Sequence, residues 1–244
     1  MPSLRSYTNA RVDLGRVGDS VPTAEVLKFR LAHARARDAV HLAMDSRSLV
    51  QEFAAAGWDS IVLISQARTR EEYLLRPDLG RRLSEGSKKL LAGSGLQIPL
   101  LCCVADGLSA AAVHRHAAGL LNELKLVCQV AGPVLVIEQG RVAIGDEAGE
   151  RVGAEICVLL IGERPGLSSP DSLGVYVTYG PRTGRSDAER NCVSNIHDQG
   201  LSYRLAAAKI AYLVNEARVR KLSGVELKER TGLLLPPGQD KVQL

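Results

Sequence analysis

The chain has 244 residues, 45% hydrophobic and 24% charged, an ordinary globular composition with length for one large core or two modest ones. A formal charge of +4 and 4% aromatic residues lack the basic stripe and stacking rings of a nucleic-acid binder. No apolar run reaches membrane-spanning length, the N-terminus (Arg5, Asn9, Arg11, Asp13) has no signal-peptide core, and the five cysteines show no CxxC spacing. These features point to a cytosolic protein with reduced thiols.

In chain order, residues 1–94 read as a polar, helical region. "SVPTAEVLKFRLAHARARDAVHLAM" follows helical spacing from Thr23, an N-cap residue type behind Pro22, with Glu25 in the first turn. "SRSLVQEFAAAG" predicts a second helix stopped at Gly57. "SIVLIS" is an apolar run too short for its period to separate strand from helix. "TREEYLLRPDLGRRLSEGSKKLLAGSG" predicts short helices broken at Pro77, Gly80 and Gly86, and Gly93-Ser94-Gly95 marks a domain boundary.

From residue 95 to 244 the texture changes. "IPLLCCVADGLSAAAVHRHAAGLLNELKLV" predicts strand, tight turn and long helix, and "PVLVIEQGRVAIGDEAGE" a strand, a turn and a short helix. "EICVLLIGERPGL" and "SLGVYVTYG" predict strands, the charged segment 180–191 a loop, and "YRLAAAKIAYLVNEARVRKLSG" a closing helix. Strands that are apolar throughout and alternate with helices indicate a parallel sheet covered on both faces. The expected fold is α/β, a Rossmann-like parallel-sheet C-terminal domain behind a helical N-terminal region.

Ligands of open parallel sheets bind at the carboxyl ends of the strands. Three strands end here in unusual loops: "VADGLS", "EQGRV" and "GERPGL". Glu163 and Arg164 sit where polar ligand contacts belong, between glycines that let backbone approach closely; a solvated turn is an equally good reading of that pair. No GxGxxG follows the first strand, so the dinucleotide fingerprint is absent. His114 and His116, two apart on a helix, project about 200° apart and do not chelate one metal. Cys102 and Cys103 would face opposite sides of a strand. Cys192 and His197 suggest a thiol and its base, yet no orienting group or oxyanion site accompanies them. A free-standing nucleotide-binding regulatory module and a Cys192 hydrolase are the competing readings.

Taken together, "SYTNARVDLGRVG", "LKFRLAHARARDAVH", "RPDLGRRL", "VADGLSAAAV", "LLIGERPGL", "YVTYGPR" and "NCVSNIHDQG" resemble the small (light) subunit of ethanolamine ammonia-lyase, in order and from about Tyr7 to Gly224. The resemblance implies a subunit without catalytic or metal-ligating residues of its own. It would cover adenosylcobalamin against the mouth of a (β/α)8-barrel large subunit that bears the substrate site. The implied reaction converts ethanolamine to acetaldehyde and ammonia by cobalt–carbon homolysis and hydrogen abstraction. The implied cofactor contacts are Val142, Glu163 and Cys192, with Arg141 and Arg164 as second-tier partners for the tail phosphate. The chain lacks DxHxxG, so a base-on cofactor is implied. The implied location is the bacterial cytoplasm or an ethanolamine-utilisation microcompartment; the short stretch before the shared motif leaves encapsulation open.

Overall fold

The computed structural model describes Leu4, Tyr7, Thr8 and residues 10–228; Arg5 and Asn9 lie outside the described residues. Helices α1 (Thr23–His41) and α2 (Ser46–Ala55) precede strand β1 (Ser60–Ile64), followed by α3 (Arg70–Leu75) and α4 (Glu85–Ser94). Then come β2 (Leu100–Ala105), α5 (Ala110–Val127), β3 (Val134–Glu138), α6 (Ile144–Arg151) and β4 (Ile156–Gly162). The chain closes with β5 (Leu173–Tyr179), β6 (Arg190–Ile196) and α7 (Tyr203–Arg220).

Local chemistry sets the helix starts. Asp45, Thr69, Ser84, Ser109 and Ser202 each accept a backbone N–H of the following first turn. Thr23 is instead the first residue of α1, whose N-cap is Pro22 without a side-chain bond. Gly86 lies inside α4 and does not break it.

Six strands form one sheet in the order β1-β3-β2-β4-β5-β6. The first four run parallel, whereas β5 and β6 are antiparallel, so the sheet is mixed and not parallel throughout. The reason is loop length: residues 163–172 and 180–189 are too few for the crossover a parallel return needs. "SIVLIS" is a strand, paired from Ser60↔Val134 to Ile64↔Glu138, so one sheet draws on both sides of residue 94. The segment 180–191 also holds more order than a loop. Ser186 and Glu189 make a reciprocal capping box around a 3-10 turn, and β6 begins at Arg190.

Two apolar layers flank the sheet. Leu49, Phe53, Leu120, Leu121, Ile210 and Leu213, from α2, α5 and α7, pack on Val104, Val136, Leu160 and Val175. On the other face, Leu91 of α4 and Ile144 and Ala148 of α6 pack on Leu101, Leu135, Cys157 and Leu159. Cys102 and Cys103 fall in opposite layers, as strand alternation requires. Helix packing on this second face reaches β4, leaving Tyr176 only partly covered and Cys192 exposed on the two strands beyond it.

Candidate functional site

The helix after β2 lies on one face of the sheet and the helix after β3 on the other, so a crevice opens between their carboxyl ends. Its own side chains fill it. Asp106 is fully buried, accepts the Gly140 N–H at 2.9 Å, and pairs with Arg70 at 3.1 Å. Burial pushes the Asp106 carboxyl up to about 6, against the opposing pull of Arg70 and the backbone amides of Gly140 and Gln139. Arg70 also donates to the Val40 carbonyl at 2.8 Å, tying the end of α1 to this crevice.

Arg70 and Arg141 both stack over the Tyr73 ring, at 4.7 and 4.4 Å from its centroid. Burial, with Asp106 adding to it, pushes the Tyr73 phenol well up, and its hydroxyl donates to the Gly140 carbonyl at 3.3 Å. Arg141 is fixed by its backbone N–H to Gly80 O at 2.7 Å and by its guanidinium to Tyr73 O at 3.0 Å.

Beyond this plug the surface opens into a cleft of about 450 Å³, lined among others by Tyr73, Arg141, Val142, Glu163, Arg164 and Tyr176. Val142 sits between β3 and α6 and is half-buried. Glu163 leaves the end of β4, and its Oε2 accepts the Ser172 hydroxyl and, at 3.3 Å, the Asn195 backbone N–H. Its side chain lies along Gly174, where any Cβ would meet Glu163 Cγ and Oε1 at 3.0 Å. Cys192, on β6, is the cross-strand partner of Tyr176. Burial, with the neighbouring Cys192 adding to it, pushes the Tyr176 phenol up to about 12.

Gly162, which opens "GERPGL", and Gly107 are geometric necessities at one crossing. A Cβ on Gly162 would stand 2.1 Å from Ser109 O, and one on Gly107 2.2 Å from Gly162 O. Leu108 N–H donates to Gly162 O at 3.0 Å across the same contact. The turn after β2 and the end of β4 therefore touch backbone to backbone, which holds Glu163 in place.

Other sequence candidates separate. His197 bonds to Asn195 and the Gln199 N–H, with no bond to Cys192. Although Cys192 as a residue is exposed, the atoms packed round its sulfur push the thiol above its ordinary value, opposite to an activated nucleophile. His114 accepts the Asp45 N–H, while buried His116 bonds to the Tyr203 hydroxyl at 2.7 Å. Arg164 lines the cleft and is exposed. Sequence reasoning missed Arg70, Tyr73 and Tyr176, which lie far from the loop motifs and carry no diagnostic spacing.

The groove presents a half-buried valine, aromatic edges, a carboxylate acceptor and cationic donors, a lining that suits a ligand carrying both apolar surface and hydrogen-bonding groups. The ethanolamine ammonia-lyase light chain (EutC) family model matches residues 1–228. A protein of Xanthomonas campestris pv. campestris called ethanolamine ammonia-lyase small subunit is 54% identical over 234 residues, covering 93% of this chain and 86% of its own. Two others of that name, from Pseudomonas putida and Pseudomonas syringae pv. tomato, are 53% and 52% identical and cover 93% and 94% of this chain, and 86% and 83% of their own lengths. A match of this extent reaches every loop that builds the groove, and the chain belongs to the ethanolamine ammonia-lyase light chain family.

Proposed function

We propose that this chain is the cofactor-holding small subunit of an adenosylcobalamin-dependent ethanolamine ammonia-lyase, with its groove closed by a barrel-shaped large subunit. The carrying observation is convergence. Val142 and Glu163, from separate loops, line one cleft, and Cys192 lies opposite a third lining residue, Tyr176. Val142 offers apolar or backbone contact to the corrin body. Glu163 accepts from corrin amide side chains or tail hydroxyls, and Cys192 packs at the groove's margin. Arg141 and Arg164 are cationic donors for the same ligand, and Arg141 is the one shared with the neighbouring cleft.

When bound, the cofactor supplies homolytic cobalt–carbon chemistry; this chain binds and orients it and excludes water from its flank. Deamination of ethanolamine to acetaldehyde and ammonia then belongs to the large subunit's substrate site. No described helix is long and apolar enough to cross a membrane. The bacterial cytoplasm, free or inside an ethanolamine-utilisation microcompartment, is the setting that agrees with this reading.

The test is a titration of the two-subunit complex with adenosylcobalamin, followed by corrin absorbance, for wild type and Val142→Trp. The added indole fills the cleft and should weaken binding about tenfold or more. Unchanged binding by a variant that still assembles would overturn the placement of the cofactor.

A further inference from the structure

A second cleft, of about 500 Å³, adjoins the first and shares Arg141 and Val142 with it. Arg81, Arg82, Arg141, Arg185 and Arg190 line it, against two carboxylates, Glu147 and Asp187. Much of that charge is spent internally. Arg190 pairs with Asp146 and Asp187, and Arg185 with Glu189. Glu147 accepts the Leu83 N–H at 2.8 Å and lies 3.4 Å from Arg151 and 3.7 Å from Lys88. Arg81, Arg82 and Arg141 are left with no carboxylate within 4.0 Å among the described residues. Two lining residues, Arg141 and Arg190, also carry buried Nε–H groups without an acceptor among the described residues, and the Arg190 side chain is only 2% exposed.

We propose that this second cleft is an oxyanion site for a phosphate ester. Three uncompensated guanidiniums in one concavity raise the local concentration of an anion, and their forked donors match phosphate oxygens. Continuity with the first cleft through Arg141 and Val142 gives one ligand a neutral body in the first and an anionic arm in the second. The proposal rests on the cofactor reading, on which the arm is the phosphodiester of the nucleotide tail, and it extends the site to Arg81 and Arg82.

The experiment compares adenosylcobalamin with adenosylcobinamide, which lacks the nucleotide and its phosphate, on the assembled complex of wild type and of Arg81→Gln/Arg82→Gln. Both arginines are exposed, so the variant folds without losing core contacts. Adenosylcobalamin should bind the variant about ten- to a hundredfold more weakly, the scale of lost charged hydrogen bonds, with adenosylcobinamide unaffected. Equal effects on both corrinoids, or none on either, overturn the phosphate site and leave the cofactor reading standing. Weakened subunit association with unchanged corrinoid affinity assigns the cleft to an acidic partner side chain and also overturns it. If neither corrinoid binds wild type, the cofactor reading falls. The cleft is then judged by titrating the isolated chain with inorganic phosphate and following the amides of residues 183–187 by NMR. Shifts lost in the variant support the site, and their absence in wild type overturns it.

Discussion

Asn195 donates its backbone N–H to Glu163 Oε2 at 3.3 Å from the positive-φ position (φ 63°) beside the bulge in β6. The side chain that ends β4 thus holds the irregular part of the edge strand, so Glu163 carries a structural duty beside its proposed cofactor contact. Glu163→Ala should destabilise the isolated chain by roughly 1–3 kcal/mol, because Ser172 and Asn195 lose their acceptor. In the complex it should raise the half-saturating adenosylcobalamin concentration about ten- to a hundredfold. Glu163→Gln keeps one acceptor oxygen and should fall between. Chemical denaturation and cofactor titration of both variants separate the two duties, and an unchanged titration midpoint would leave Glu163 a turn residue.

Cys192→Ser should preserve most of the turnover of the assembled enzyme, since the raised thiol is a packing group and not a nucleophile. Iodoacetamide should modify Cys192 more slowly at neutral pH than it modifies free cysteine, despite the residue's exposure. Abolished turnover in a serine variant that assembles and binds cofactor would restore the thiol-enzyme reading.

Gly162 and Gly166 bracket the same loop and should respond oppositely to alanine. The Gly162 Cβ would sit 2.1 Å from one backbone oxygen and 2.5 Å from another, so Gly162→Ala should cost about 3 kcal/mol or fail to fold. At Gly166 the nearest atom is 3.7 Å away and the change should stay within about 0.5 kcal/mol. Urea midpoints measure both.

Asp106 sets a pH dependence with a definite sign. Its folded carboxyl stands near 6, above the ordinary 3.8, so the native state binds the extra proton between those values. That stabilisation is complete below about pH 4 and is lost as pH rises through 6. The stability difference between wild type and Asp106→Asn should therefore shift against wild type across this window, by roughly 3 kcal/mol at most for two pKa units. Denaturation at pH 4, 5 and 6.5 reads it, and a flat difference would show that Arg70 cancels the burial cost.

Much of the candidate site could be read from the sequence as a set of strand ends. The apolar runs 100–105, 134–138 and 156–162 announce buried strands, and the loops after them contain Gly107, Val142 and Glu163. β6 escaped because its pattern is broken: the bulge spaces its packed residues Val193 and Ile196 three apart, which reads as neither strand nor loop. Arg70 and Tyr73 were invisible for another reason. They reach the crevice only through the docking of α3 at the sheet's end, and nothing local in "TREEYLL" encodes that destination. The antiparallel turn-back after β4 was readable in principle from the shortness of 163–172.

The pairing of β1 with β3 has a consequence for the order of events on the ribosome. β1 is an edge strand whose sheet partner is Val134–Glu138, so it emerges long before that partner exists. Between the two, the nascent chain makes β2, which meets β1 only through β3. Residues 60–64 therefore wait as an open, apolar edge during synthesis, a template for mispairing. In the finished fold Ser87 Oγ donates to Ile64 O at 3.0 Å and accepts the Ile64 N–H at 2.8 Å, which blunts that edge with a side chain. A stalled chain ending before residue 134 should recruit chaperones in proportion to this exposed edge, and one extended past residue 196 should release them.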